Sequence, residues 1–329
     1  DRGRPMQSAR IAVVGHVEHV CLGRVAALPA PGDIVHLEAT RALAGGGGAL
    51  AFAQLCRSSA EVHFFTAVGD DDAGREVEAW LGALGAGNLE SEPQRGEPRS
   101  MAGPSRRRGV AMNCHVHVAR RRASHPRVVV LVDAEGRRTI LVTSPPLQPS
   151  GDDALPWERL ADLDAVYFTG SDPESLRLAR RARRLVVTAR RAACLSDAGV
   201  AADVIVGSAT DPRENEPIHT YLPAPRALVL TDGPRAMVVS RAAAVAGGAP
   251  ILSHVDPPPA VSRVRCDYGA GDSFAAALTF FVAHGLSVEE ACRRAGPHGA
   301  AVLLGEEPLS AQLLLTLADF PDLFINQSR

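Results

Sequence analysis

The chain has 329 residues, is 46% hydrophobic and 22% charged, and sets 35 basic against 37 acidic side chains for a net charge of −2. Near-neutrality excludes a general affinity for nucleic acid or anionic membranes, and no apolar run reaches the ~20 residues of a membrane span. Every basic residue is Arg or His; having no lysine excludes a P-loop Gly-Lys-Ser/Thr site, a protein-kinase ATP lysine and Schiff-base chemistry.

Asp1-Arg2-Gly3-Arg4-Pro5 leads into a buried strand over residues 11–15 without an apolar leader. Six cysteines with no Cys-x-x-Cys pair read as free thiols, so a cytoplasmic location is expected. Residues 33–43 alternate weakly as a short strand, and Gly45-Gly46-Gly47-Gly48 opens a helix over 49–57. Residues 61–68 alternate into a core strand. Asp70-Asp71-Asp72 is read as capping the helix over 73–84 rather than holding a metal.

Residues 86–142 differ from the rest. The stretch 92–109 is rich in Pro, Gly, Ser and Arg, while 109–118 and 128–142 alternate as strands. Arg106-Arg107-Arg108 and Arg120-Arg121-Arg122 carry no interleaved aromatics for base stacking, so they read as a solvated loop. Cys114-His115-Val116-His117 is read as strand alternation rather than a metal site. Further strands over 165–169, 185–188, 204–206 and 227–230 alternate with arginine-rich helical stretches such as 173–184. This order predicts a parallel sheet with helices on both faces. Such sheets bind ligands at the C-terminal strand ends, where Gly15, Thr169-Gly170, Thr231 and residues 269–272 fall.

The most informative segment is Gly269-Ala270-Gly271-Asp272. Its glycines let backbone approach a ligand, and the apolar run over 273–281 makes it a helix N-terminus, where free amides attract an anion. A carboxylate beside such an anion site suits phosphoryl transfer, taking a proton while the amides meet developing charge. The same residues would also serve as a plain N-cap.

Four segments in order resolve that choice. Gly45–Ala51, Thr66–Gly74, Ala227–Ala236 and Gly269–Leu278 together resemble the signatures of the ribokinase (PfkB-type) family of sugar and nucleoside kinases, across residues 11 to about 309. The resemblance implies a single α/β domain over 8–329: a central, mostly parallel sheet flanked by helices, with a small β-sheet lid from about 33–44 and 86–145. An Arg/Pro-rich insertion at about 92–127 lengthens that lid. It implies Asp272 as general base and the amides of Gly269, Ala270 and Gly271 as anion hole. Thr231, Gly233, Arg235 and Gly296 would face ATP; Glu18, Gly46, Gly47 and Leu50 would face the acceptor. It further implies Mg²⁺, with Asp211 as an indirect contributor, small-molecule partners only, and a homodimer through the lid.

The departures bear on substrate. Glu18 and Val20 stand where the family holds sugar hydroxyls with Asn and Asp, and Leu50 replaces the substrate-loop Asn. Apolar groups there cannot pair ribose hydroxyls, so ribose is disfavoured and His16, Glu18 or His19 become the polar contacts. Ser208-Ala209-Thr210-Asp211 stands at the family's Asn-x-x-Glu motif, and Gly296 where Asn is common. Cys266-Asp267 replaces Asp-Thr, leaving a monovalent-cation site unsupported. The scarcity of aromatics favours carbohydrate over nucleoside. The alternatives are a nucleoside kinase of the same fold, or a catalytically silent ligand-binding protein on this scaffold.

Overall fold

The computed structural model of the chain describes residues 8–85, 113–242 and 248–318. In chain order these form β1 (Arg10–Val14), β2 (Glu18–Arg24), β3 (Glu38–Gly45), α1 (Gly47–Leu55), β4 (Glu61–Gly69), α2 (Asp72–Gly85), β5 (Asn113–Arg121), β6 (Arg127–Val132) and β7 (Arg138–Val142). The second half adds β8 (Ala165–Phe168), α3 (Pro173–Ala179), β9 (Leu185–Thr188), α4 (Ala192–Ala198), β10 (Val204–Ser208), β11 (Ala227–Thr231), β12 (Met237–Arg241), β13 (Ile251–Val255), α5 (Ala270–Ala283) and α6 (Val288–Val302). Arg106–Arg108 and the whole of the 92–109 stretch lie outside the described residues.

Nine strands form the central sheet in the order β13-β12-β11-β10-β9-β8-β1-β4-β5. All neighbours pair in parallel except β11–β12 and β12–β13. The parallel strands read as continuous apolar runs because both of their faces are covered; in β4 every residue but Glu61 is buried. On one face, α1, α2, α5 and α6 bury Leu50, Phe52, Val77, Leu81, Phe280 and Ala291 against Val13, Val62 and Val229. On the other, α3 and α4 join a 3₁₀ turn at Trp157–Asp162 in covering Val14, Phe65, Phe168 and Ile205. Helix α5 is apolar all round, with Ser273 through Val282 buried, as befits a helix enclosed by neighbours. Each fully buried Phe there contributes about 1.5–3 kcal/mol of transfer free energy.

A second sheet of four strands runs β3-β2-β6-β7. Two expectations are corrected here. Residues 18–24, where no strand is expected, form β2 inside this sheet, pairing with β3 and β6. The strand expected at 109–118 in the small sheet is described from Asn113, and it extends the central sheet beside β4 instead. Its apolar positions Cys114, Val116 and Val118 pack on the main core, which decides the pairing. Asp71 caps α2 as expected, its Oδ1 accepting from the Gly74 amide at 3.0 Å. Among the described residues, no helix is long and apolar enough to cross a membrane.

Candidate active site

The site is built where strands of both sheets end. After β1, Gly15 passes under Thr169, whose side chain a Cβ on Gly15 would strike. The chain turns through His16 and enters β2 at Glu18, which pairs with Gly45 at the end of β3. Gly46 follows at φ 82°, a left-handed conformation that glycine adopts without penalty. A Cβ on Gly46 would stand 2.9 Å from His16 Cδ2 and 3.3 Å from Glu18 Cγ. A Cβ on Gly47 would stand 2.9 Å from Asp272 Oδ1 and 3.2 Å from Thr169 Oγ1. The glycine run and the carboxylate, far apart in sequence, thus share one pocket wall.

Two helix N-termini meet at this point. Gly269 precedes α5 at φ 84°, and no side chain caps that helix. Gly46 precedes α1, likewise without a side-chain cap. In contrast, α3 and α6 are capped by Asp172 and Ser287. First-turn amides left uncapped keep their donors and the positive end of the helix dipole for an anion. Gly271 is exposed and Asp272 half-buried beside it.

Tyr268 links the two termini, its Oη accepting from the Gly46 amide at 2.9 Å inside the protein. Tyr268→Phe leaves that buried N–H without a partner, costing about 1–3 kcal/mol. Urea denaturation of the two proteins measures it, and an unchanged midpoint would mean the bond contributes nothing.

Charge is arranged around the carboxylates. Burial pushes Asp272 up to about 6; Arg138 and Arg190 oppose that rise and Glu214 adds to it. Burial, with help from Asp272, lifts Glu18 to about 7 against Arg191. Burial and Arg191 hold His16 down at about 4, so it is neutral at pH 7. Arg138, at the start of β7, is anchored by Asp267: its amide donates to Oδ1 at 2.9 Å and its guanidinium lies 3.0 Å from Oδ2. Arg191 Nε donates to the Thr169 carbonyl at 3.3 Å.

A raised folded-state value carries a stability sign. Between the ordinary 4.5 of Glu18 and about 7 the folded protein holds a proton that the unfolded chain releases, so stability falls as pH rises through that window. Glu18→Gln therefore flattens this fall and stabilises the protein at pH 8, as thermal midpoints between pH 5 and 8 would register. A variant less stable at pH 8 would contradict the buried-carboxyl account.

The remaining expected residues fall in three groups. Thr231 ends β11 with Oγ1 donating to the Gly207 carbonyl at 3.2 Å, and Gly233, at φ 57°, has open space around it. Arg235 is exposed and folded back on Asp232, Nε donating to Oδ2 at 2.6 Å. Gly296 is buried against Pro258, 3.3 Å from where its Cβ would be, so the chain itself covers that position. Leu50 is not brought to the pocket surface: it is fully buried, with Cδ1 under Gly269. His19 points away too, bonded to Glu76 at 2.9 Å and set against Trp80.

Asp211 is pulled down to about 2, first by Arg213 and also by Arg190, whose Nη2 lies 2.6 Å away. Glu214 is the carboxylate whose charge reaches Asp272. It is buried, accepts from the Ser208 amide at 3.0 Å and pairs with Arg190. Sequence reasoning missed Glu214, Arg138, Arg190, Arg191 and Tyr268. Only Tyr268, adjacent to the glycine turn, carried a local signal.

The sequence matches no family model and no curated protein. Solved structures do match. The chain is similar to adenosine kinase from Sinorhizobium meliloti (TM-score 0.66, 16% identity, over 92% of this chain and 97% of that one). It is similar to Arabidopsis thaliana ribokinase complexed with ribose and ATP (TM-score 0.61, 16% identity, 93% and 96%). A third similarity is to phosphofructokinase-2 from Escherichia coli in complex with substrates and products (TM-score 0.64, 15% identity, 93% and 95%). The chain has the ribokinase fold over more than nine-tenths of its length.

Proposed function

We propose, from the ribokinase fold and the meeting of Asp272 with two uncapped helix termini, that the protein is an ATP-dependent kinase acting on a hydroxyl of a small sugar or sugar-like molecule. The observation that carries this is the approach of Gly47 to Asp272, which sets an acceptor loop against a carboxylate at an anion-attracting helix end. A carboxyl lifted to about 6 is ionised at pH 7 yet more basic than an ordinary Asp. That matches the requirement of a general base near its working pH.

The acceptor lies between His16, Glu18 and Gly46 on one side and Asp272 on the other. Glu18 and neutral His16 hydrogen-bond its hydroxyls. Asp272 takes the proton of the attacking hydroxyl, and the amides of Gly269, Ala270 and Gly271 meet charge on the phosphoryl group in flight. Arg138 adds positive charge from the second sheet, which acts as a lid carrying both Glu18 and Arg138. ATP extends towards Thr231 and Gly233.

Mg²⁺, when bound, neutralises phosphate oxygens. The carboxylates at hand fit it only through water, because Asp211 and Glu214 are already engaged by Arg190, Arg213 and the Ser208 amide. The scarcity of aromatics in the chain, 4% of its residues, favours a sugar over a nucleoside. Exposed Ile140, Leu141 and Val142 on β7, an edge of the second sheet, support pairing of two copies through the lid.

The test is ADP release from Mg·ATP against a panel of sugars, sugar acids and nucleosides. Turnover with a sugar or sugar acid supports the reading, and turnover with nucleosides alone would move the substrate class. ATP binding without any acceptor-dependent turnover would favour a silent binding protein.

A further inference from the structure

At the opposite end of the central sheet from Asp272, β4 and β5 begin side by side in parallel, with His63 directly across from His115 and Phe65 across from His117. Alternation puts Glu61 and His63 on one face of β4, and His115 and His117 on the same face of β5. This is the face on which Phe65 stacks on Trp157, away from α1 and α5. His63 Nε2 lies 3.1 Å from Glu61 Oε1, and His115 Nε2 lies 3.9 Å from that same oxygen. The three ligand atoms all lie within 4.8 Å of one another.

A tetrahedral zinc ion, with bonds of about 2.0–2.1 Å, keeps its ligand atoms about 3.3 Å apart. Small side-chain rotations close the present spacing to that value. The ring of His63 is also oriented from behind: its Nδ1 stands 3.0 Å from His117 Nε2. A histidine that ligates through Nε2 carries its proton on Nδ1 and needs an acceptor there, which His117 supplies. His63 is buried, whereas His115 is exposed and Glu61 partly so, leaving a water-accessible side for the remaining coordination position.

We propose that Glu61, His63 and His115 bind one divalent ion of the zinc class, with His117 as a positioning residue for His63. Two imidazoles and a carboxylate select zinc, cobalt or nickel over magnesium, which prefers oxygen ligands throughout. The ion clasps β5, an edge strand of the sheet, to β4, and is separate from the chemistry at Asp272. Neither strand alone offers the set; it exists through their register.

The test uses the full chain, stripped with chelator and titrated with Co²⁺ and then Zn²⁺. One equivalent binds at micromolar protein, Co²⁺ gives the visible absorption of a tetrahedral site, and Zn²⁺ displaces it. His115→Ala, at an exposed position that does not endanger folding, abolishes stoichiometric binding and the rise in thermal midpoint that the metal gives the wild type. His117→Ala weakens binding about 10–100-fold, and His117→Gln, which keeps an acceptor, restores most of it. No stoichiometric binding of either metal, or binding indifferent to His115→Ala, would overturn the site. Equal affinities for His117→Ala and the wild type would overturn the positioning role.

Discussion

Asp272→Asn lowers acceptor phosphorylation by about 10²–10⁴-fold and leaves the fold intact. The amide keeps the shape of the carboxyl in the first turn of α5 but cannot take a proton. It also relieves a cost. Burial lifts Asp272 to about 6, so the folded protein holds its proton more tightly than the unfolded chain does. Between the ordinary 3.8 and about 6 the wild type therefore loses stability as pH rises, because its ion must stay buried, and the variant does not. Its midpoint at pH 8 should be no lower than that of the wild type. The same value sets the rate profile: wild-type kcat/KM falls about tenfold per pH unit below about 6, as the base becomes protonated. Glu18→Gln should keep that acid limb, whereas Asp272→Asn removes it with most of the rate. An acid limb that survives in Asp272→Asn would assign the base elsewhere.

Gly47→Ala lowers kcat/KM about 10²-fold, the order expected when a reacting group is displaced by about an ångström. The new methyl would lie 2.9 Å from Asp272 Oδ1. That oxygen ends a short side chain and can give way, so the penalty falls on the placement of the base rather than on folding. The backbone of Gly47 is ordinary, unlike that of Gly46, and alanine is the better helix former. Stability is therefore kept while activity is lost. Gly82→Ala, in α2, where a Cβ meets nothing within 4 Å, is the control and should leave activity unchanged. Equal activities for the two variants would separate the glycine run from Asp272.

Most of the fold was legible in the chain because parallel strands covered on both faces are continuous apolar runs, as in residues 11–15, 185–188 and 227–230. The glycine turns were legible for a related reason: left-handed backbone at Gly46 and Gly269 admits little else. What escaped reading depends on pairing partners. The run Glu18–Arg24 shows little periodicity and becomes a strand only through β3 and β6. Asn113–Arg121 alternates as either sheet would require, and its apolar face chose the central one.

The charged frame of the site was hidden for the same reason. Arg138, Arg191 and Glu214 arrive from three separate loops and strand ends, and no spacing along the chain relates them to Asp272. Leu50 misled in the other direction. Its position beside the glycine run suggested the pocket, yet an apolar side chain there is drawn into the core beneath Gly269.

The most direct test of the central claim is transfer of labelled phosphate from γ-labelled ATP to acceptors drawn from sugars and sugar acids, with wild-type and Asp272→Asn proteins of matched thermal midpoint side by side. The account predicts a phosphorylated acceptor with the wild type and a rate lower by about 10²–10⁴-fold with the variant. Equal transfer by both proteins would contradict it.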